Sequence, residues 1–363
     1  MNVGGPAVLL SELIRNLPPE DFEHVLITGT CLDNEIDFLE SHPLNSEVIY
    51  IDEFKRSILP INDIKSFIKL IKVLRNLKPD IVHTHTSKAG VLGRLAAKIS
   101  TPRAKIIHTY HGHLLYGYFS DWKIFLIVHL EEFLAKLSNR LVAVTKQVRD
   151  DLLKAGIGPT EIWSVIRPGL EVPRILDKVM CKTSLKINEN KFVISWIGRF
   201  TDIKNPKLAL DSISILPREI LNQVVFVMAG SGELLDECQK YSTVLGLNVI
   251  YTGWITDINP ILGASDLLLM TSKNEGMPVV IVEAALRRIP TLVTNVGGVA
   301  EFISDADTGY LVSENSEEIS KKIIEIFTNR SNMQEVAQNA LRLALTEFSI
   351  QNFVASHIQI YKL

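Results

Sequence analysis

The sequence predicts an α/β protein built from two Rossmann-like domains, and three observations carry that prediction. The chain has 363 residues, a length that at roughly 100–200 residues per domain holds two domains. Short runs rich in Val and Ile alternate with longer amphipathic segments, the pattern of βα units around a buried parallel sheet. The runs fall into two sets of six, one in each half of the chain, and each set suffices for one doubly wound unit.

In the first half the strand candidates are residues 24–28, 47–51, 80–84, 105–109, 140–145 and 162–166. In the second half they are 191–197, 224–229, 248–252, 266–270, 291–294 and 310–312. Between the sets lies RPGLEVPRILDKVMCKTSLKINENK (167–191), which lacks a strand period and carries two prolines and a glycine. It reads as the interdomain connection, which places the domains at 1–171 and 172–363. The closing stretch 333–363 has Ala, Leu, Phe and Ile at mixed i+3 and i+4 spacings. It reads as helix, and its last part is a candidate to return to the first domain.

Hydrophobic residues make up 47% of the chain and charged residues 22%, enough apolar material for two cores and too much for global disorder. A net charge of -3 and a pI of about 6.3 argue against a dedicated nucleic-acid binder, whose signature is a strongly basic face. The average hides an asymmetry. Residues 1–54 carry 1 basic and 11 acidic side chains, 55–154 carry 18 and 7, and 155–363 carry 19 and 23. The basic middle segment either attracts something anionic or is a set of solvated helix faces. Cys31, Cys181 and Cys238 have no C-x-x-C spacing, so neither a disulfide framework nor a zinc site is indicated and a reducing cytosol fits. No apolar run approaches the ~20 residues that span a bilayer. The opening residues lack the basic leader and apolar segment of a signal peptide.

Two predicted helices of the first half stand out. Ile64, Phe67, Ile68, Ile71 and Leu74 share a face, with Lys65, Lys69, Lys72 and Arg75 interleaved, which makes an amphipathic basic helix. LLYGYFSDWKIFLIVHL (114–130) is unusually aromatic and apolar. Both read either as crossover helices packed on the sheet or as a surface that meets an anionic membrane.

The most informative stretch is SKNEGMPVVIVEAALRRIPTLVTNVGGVAEFI (272–303), which follows the strand at 266–270. Pro278 suits the first turn of a helix because its missing N–H is not needed there. The amides near Val279 and Val280 are then free to meet a phosphate at the carboxyl end of a parallel strand. Glu283 falls in the second turn, where a carboxylate can accept from the vicinal diol of a ribose. A second element, ISWIGRFTDIKNPKLAL (194–210), puts Arg199 and Lys204 in the loop after a strand, where two cations can clamp a diphosphate. A third, VMAGSGELLDEC (227–238), resembles a phosphate-binding turn but lacks the third glycine of G-x-G-x-x-G. No P-loop motif occurs.

Taken together these elements resemble glycosyltransferase family 4, the retaining nucleotide-sugar enzymes of GT-B fold, and the resemblance covers almost the whole chain. Its motifs here are IGRFTDIKNP, the Glu-x7-Glu stretch EGMPVVIVE, GGVAEFI followed by TGYLV, and, in the first half, VHTHTSKAGVLGRLAAK and IHTYHGH. The resemblance implies two parallel-sheet domains facing a central crevice, the first binding acceptor and the second the nucleotide-sugar. Arg199 and Lys204 would hold the donor pyrophosphate and Glu283 the ribose hydroxyls. Glu275 would contact the transferred sugar, with the backbone of Gly276, Met277, Pro278 and Val279 beside it. His111 matches the family's active-site histidine near the sugar's C6 hydroxyl, and Gly4 and Gly5 match the N-terminal glycine loop that approaches the donor phosphates.

Breaking an anomeric C–O bond puts positive charge on the sugar and negative charge on the leaving nucleoside diphosphate, which fixed cations and helix amides stabilise. No metal or other cofactor is needed for that. The only D-x-D, Asp305-Ala306-Asp307, lies between GGVAEFI and TGYLV and is not read as a metal site. Five histidines, His83, His85, His108, His111 and His113, gather at the ends of two consecutive strands. They are read as converging strand ends rather than as a metal cluster, with His83 and His108 structural.

The expected activity is sugar transfer from a nucleotide-sugar, UDP favoured by family frequency, to a saccharide or polyprenyl-linked acceptor in surface-polysaccharide synthesis. The expected location is cytoplasmic, at the inner face of the cell membrane if the basic and aromatic helices meet it. The competing readings are a nucleotide-sugar 2-epimerase on the same architecture and a non-catalytic binding protein. In the family a β-strand precedes the glycine loop, whereas Met1 stands three residues before Gly4. The first strand is therefore expected to be missing, by a start roughly ten residues internal to the natural one.

Overall fold

The computed structural model describes residues 1–31, 35–55, 57, 59–113, 115 and 120–363. The chain divides into two compact units, Met1–Leu170 with Ser349–Leu363, and Glu171–Phe348. In the first unit the order is α1 (Gly5–Asn16), β1 (Val25–Gly29), α2 (Phe38–Ser41), β2 (Glu47–Ile51), α3 (Pro60–Leu77), β3 (Ile81–His85), α4 (Ser87–Ser100), β4 (Lys105–Tyr110), α5 (Asp121–Ala135), β5 (Arg140–Ala143), α6 (Lys146–Lys154) and β6 (Trp163–Val165). The second unit continues with α7 (Lys178–Ser184), β7 (Phe192–Ile197), α8 (Pro206–Ser214), α9 (Arg218–Leu221), β8 (Val224–Ala229), α10 (Leu235–Val244), β9 (Val249–Gly253), α11 (Asn259–Ala264), β10 (Leu267–Met270), α12 (Val279–Leu286), β11 (Thr291–Thr294), β12 (Tyr310–Val312), α13 (Ser316–Thr328) and α14 (Arg330–Glu347). The final helix, α15 (Ile350–Lys362), belongs to the first unit.

All twelve predicted strands are present, and every strand pair is parallel. In the second unit they form one sheet in the order β12-β11-β10-β7-β8-β9. Alternate residues of its central strands serve opposite faces. Phe192, Ile194 and Trp196 join Phe226, Met228, Leu267 and Leu269 under α8 and α13, while Val193, Val227 and Ala229 pack with Ile261 of α11 on the other side. Burial on both faces explains why these strands read as unbroken apolar runs. The predicted connection 167–191 is not featureless: Asp177 caps α7, its carboxylate accepting from Met180 N at 2.8 Å, and α7 packs on α11.

In the first unit the six strands do not make one sheet. Among the described residues β1 pairs only with β2, and β3-β4-β5-β6 form a separate sheet of four. Among the described residues no strand precedes α1, which Gly4 caps. Ala7, Ile14, Leu26 and Phe38 pack around α1 and β1 and Tyr110, Leu141, Ala143 and Leu152 around β4, β5 and α6, while a third cluster, with Ile51 of β2, Leu70 and Leu74 of α3 and Ile106 of β4, joins the two sheets. The C-terminal helix closes this unit. Leu170 bridges to Ser349, α15 packs against α1, and Lys105 Nζ donates to the Tyr361 carbonyl at 2.9 Å.

Helix α3 corrects the sequence reading. Its buried face is Ser66, Leu70 and Leu74, flanked by Phe67 and Ile71, whereas Ile64 and Ile68 are 62% and 48% exposed. The apolar stripe is broader than the sheet-facing surface, so one edge of it stays in water. Helix α5 begins only at Asp121; residues 114 and 116–119 of the predicted aromatic helix lie outside the described residues.

The motif SKAGVLGRLAAK has a packing explanation. A methyl group on Gly90 of α4 would lie 2.4 Å from His108 Cε1, and one on Gly93 would lie 2.6 Å from Thr84 Cγ2. Two glycines in a helix interior weaken it by about 1 kcal/mol each relative to alanine, and here they let α4 press onto β3 and β4. Substitution Gly90→Ala should therefore lower unfolding free energy by about 1–3 kcal/mol despite its better helix propensity. Denaturant titration checks this, and a neutral or stabilised variant would refute the close-packing account.

Candidate functional site

The sheet of the second unit has a topological switch. From β7 the chain adds β8 and β9 on one side, then returns to place β10, β11 and β12 on the other. Between β7 and β10 the connections leave in opposite directions, which opens a crevice at the carboxyl ends of these two strands. The predicted cations and carboxylates lie there. Arg199 and Lys204 follow β7, and residues 275–283 follow β10.

The two loops are tied together. Thr271 Oγ1 donates to the Asn205 carbonyl at 2.8 Å and accepts from Trp196 Nε1 at 3.2 Å, and Lys273 N donates to the Ile203 carbonyl at 2.8 Å. At the mouth, Glu275 Oε1 accepts from Lys204 Nζ and, at 2.6 Å, from Ser272 Oγ. Ser272 is itself buried, and its carbonyl accepts from Thr294 Oγ1 at 2.6 Å. The carboxylate of Glu275 thus has one oxygen fixed by two donors. Nothing in the local pattern marked Ser272, which lies three residues before Glu275 on the same loop.

Pro278 is the N-cap of α12 rather than its first helical residue, with φ −68° and ψ 114°. The shift by one residue leaves the argument intact. Val279 and Val280 occupy the first two helical positions, whose amides have no carbonyl four residues back within the helix. Gly276, Met277 and Val279 are buried beside Glu275, and Glu283 sits half-buried in the second turn.

Glycines hold this geometry from behind. Gly297, at φ 54°, lets its segment approach Glu275 so closely that a Cβ would fall 1.9 Å from the Glu275 carbonyl oxygen. That oxygen accepts from Gly298 N at 3.1 Å. Gly230, at φ 129°, does the same against the Gly198 carbonyl. The GSG turn that resembled a phosphate loop is therefore a backbone clamp on the segment carrying Arg199: Phe200 N donates to the Ser231 carbonyl and Leu234 N to the Phe200 carbonyl, each at 3.0 Å. Asp305 and Asp307 are spent on structure, Asp305 Oδ1 accepting from Leu311 N at 2.9 Å and Asp307 Oδ1 from Asn339 Nδ2 at 2.8 Å.

The first unit holds the remaining predicted residues. Gly4 and Gly5 open α1, and Gly4's carbonyl accepts from Ala7 N at 3.0 Å. His111 follows β4, its Nε2 3.0 Å from His85 Nδ1. Four of the five predicted histidines, His83, His85, His108 and His111, come together and α15 adds His357 and Tyr361 to them, whereas His113 Nε2 lies 3.0 Å from Asp151 Oδ2 of α6. His83 uses both ring nitrogens, Nδ1 with Tyr361 Oη and Nε2 with Thr109 Oγ1, each at 2.7 Å. His108 Nδ1 meets Thr84 Oγ1 at 2.9 Å, and His357 Nδ1 donates to the Phe353 carbonyl at 2.8 Å. Among the described residues no three His, Cys, Asp or Glu side chains converge as metal ligands. Burial, aided by the neighbouring His357, pushes the His111 pKa down to about 4, and burial does the same to His357. His83, His85 and His108 are held well below the usual histidine value for the same reason.

Comparison with known proteins follows this division. The family model described as Glycosyltransferase Family 4 matches residues 3–173, and the one described as Glycosyl transferases group 1 matches residues 181–342. The chain is 30% identical over 319 residues to the UDP-Gal:alpha-D-GlcNAc-diphosphoundecaprenol alpha-1,3-galactosyltransferase of Escherichia coli, covering 83% of this chain and 81% of that protein. It is 24% identical to the capsular polysaccharide biosynthesis glycosyltransferase CapM of Staphylococcus aureus, covering 87% and 85%. Among solved structures, Anabaena Alr3699/HepE in complex with UDP and glucose superposes with a TM-score of 0.82 at 22% identity, covering 100% of this chain and 98% of that one. Sucrose-phosphate synthase from Thermosynechococcus elongatus gives 0.84 at 16%, covering 100% and 95%. These likenesses identify the fold as GT-B.

The histidine cluster predicts an acid-sensitive fold. Each depressed histidine binds a proton more readily unfolded than folded, so stability is whole above about pH 6.5 and falls as pH drops toward about 4. Thermal unfolding across that range should show a steep loss of Tm, reduced by His357→Gln. A flat profile would contradict the burial of neutral imidazoles.

Proposed function

Since this chain belongs to the family 4 glycosyltransferases, we propose that it transfers a hexosyl or N-acetylhexosaminyl group, with retention, from a UDP-sugar to a lipid-linked saccharide during surface-polysaccharide synthesis. The observation that carries the reading is the meeting of Lys204 and Glu275 at the switch point between β7 and β10. It sets a cation, a carboxylate and the N-terminus of α12 around one crevice, which suits a diphosphate joined to a sugar. The Escherichia coli relative's name states a UDP-Gal donor and a diphosphoundecaprenol-linked acceptor, which supports both substrate classes. Relatives named for capsule and O-antigen synthesis support the pathway class. They are transferases, and nothing favours the epimerase reading.

In this mechanism Arg199 and Lys204, with the amides of Val279 and Val280, take up the negative charge that develops on the leaving UDP. Lys204 exchanges its Glu275 oxygen for a phosphate oxygen when the donor arrives, which releases Glu275 to bind the sugar while Ser272 keeps it aimed. Glu283 accepts from the ribose hydroxyls. His111 meets the sugar on the acceptor side, and Gly4 and Gly5 admit the donor phosphates close to the backbone. The C1–O bond to phosphate breaks, the acceptor oxygen bonds C1 from the same face, and the departing phosphate takes the acceptor's proton. Fixed cations and amides supply the counter-charge, so the scheme assigns no step to a metal or a cofactor.

The acceptor chemistry also bears on location. Helix α5 exposes Trp122, Phe125, Leu126, Leu130 and Phe133, between 41% and 62% each, with His129 on the same face. Helix α3 exposes Ile61, Ile64 and Ile68 beside Lys65, Lys72 and Arg75. Among the described residues no helix is long and apolar enough to cross a membrane. An apolar helix face next to cations suits the headgroup region of an anionic bilayer. This supports a peripheral enzyme at the inner face of the cell membrane.

Two outcomes are expected. Arg199→Ala and Glu275→Gln should each lower sugar transfer on the order of 100-fold or more in assays containing EDTA, with unfolding temperatures unchanged; full activity in either sinks the site assignment. The wild-type protein should float with anionic vesicles in low salt, and Trp122→Asp with Phe125→Asp should abolish flotation; a protein that stays at the bottom of the gradient removes the membrane reading.

A further inference from the structure

His111 is the first-unit residue that the proposed mechanism directs at substrate, and its ring is not placed by its own loop. Its one hydrogen bond among the described residues joins Nε2 to His85 Nδ1 at 3.0 Å. His85 ends β3, one strand over from β4. Its ring lies tilted against that of His83, centroids 4.3 Å apart and planes at 35°. His83 in turn cannot rotate freely, because Tyr361 Oη and Thr109 Oγ1 hold both of its nitrogens. The remaining nitrogen of His85, Nε2, is buried with no hydrogen-bond partner. His85 and His111 line a void of about 10 Å³ with Leu9, Leu13, Phe353 and other mainly apolar side chains, at the lower limit of what one water needs.

We propose that His85 is the positioning residue of His111: its Nδ1–H donates to His111 Nε2, so that His111 presents Nδ1, bearing the proton, to the substrate. This rests on the reading of His111 as substrate-facing. The direction of the bond follows from counting protons. Two neutral imidazoles that share one hydrogen bond have two N–H groups between them. If His111 were the donor, His85 would carry its own proton on Nε2, a buried N–H with no acceptor, and orphaned buried donors are rarer in folded proteins than orphaned acceptors. With His85 as donor, the buried Nε2 is a bare lone pair and the free N–H is moved to His111. Burial keeps both rings neutral. The result is a hydrogen-bond donor at His111 Nδ1, suited to a sugar hydroxyl oxygen.

The test uses the full chain labelled with ¹⁵N-histidine, with two-bond ¹H–¹⁵N correlations reading which nitrogen of His111 is protonated. The expected wild-type result is a proton on Nδ1. His85→Asn, whose amide N–H₂ replaces the donor, should keep that tautomer and most of the activity. His85→Ala should shift His111 to Nε2–H or a mixture and lower kcat between about 10- and 100-fold, with donor KM within about twofold. A wild-type His111 protonated on Nε2 overturns the proposal, as does His85→Ala with unchanged kcat. If His85→Ala does not fold, the wild-type and His85→Asn spectra decide. His111→Ala, assayed alongside, separates the two claims: full activity there defeats the substrate-facing role of His111, whereas the tautomer result reports on His85 alone.

Discussion

The candidate site depends on one topological constraint. A parallel sheet that grows outward in both directions from its middle has a single place where neighbouring strands send their connections apart, and here it lies between β7 and β10. Loops elsewhere along the sheet's edge are overlaid by the crossover of the next strand. At this point they are not, and the two loops touch each other instead. Lys204 and Ser272 both donate to one oxygen of Glu275, so each loop's position is specified by the other. Opposite charges held together in the absence of ligand cost less than two charges left apart in a half-buried crevice, and a polyanionic ligand can take the cation without leaving the carboxylate unattended, because the serine remains.

Rigidity behind that mouth is a matter of backbone packed on backbone. Gly230 lies against the carbonyl of Gly198 and Gly297 against that of Glu275, distances that no side chain would tolerate. Contacts of this kind have no rotamers to populate, so the loops that carry Arg199 and Glu275 are set before any ligand is present. Preorganised charge of this sort is what lowers a barrier that consists largely of charge separation.

The sequence disclosed what is local. Strand positions follow from short runs rich in Val, Ile and Leu, most plainly in β7, β8, β10 and β11, where burial on both faces leaves no competing polar alternation. The loop ending in Pro278 and the carboxylates on either side of it are likewise contiguous in the chain. What stayed hidden depends on distant partners. Tyr361 meets His83 across 278 residues, and no periodicity encodes that. The pairing of His85 with His111 joins the ends of two strands whose registration is visible only in the sheet. The glycines of the GSG turn look the same in sequence whether they admit a phosphate or a neighbouring carbonyl. The split of the first six strands into sheets of two and four is also a matter of which edges meet, and which edge of the apolar stripe of α3 turns inward is set by a covered surface narrower than the stripe.

The bridge between Leu170 and Ser349 makes the second unit an insertion within the first. On the ribosome, Glu171–Phe348 is synthesised as one unbroken block and can complete its single sheet at once. The first unit cannot. Its strands precede the second unit in the chain, yet His357 and Tyr361, which cover and hold its histidines, are made only after the whole of Glu171–Phe348. The first unit is therefore completed only after the second has been made, and until α15 arrives its histidines lack the cover and the hydrogen bond that His357 and Tyr361 provide.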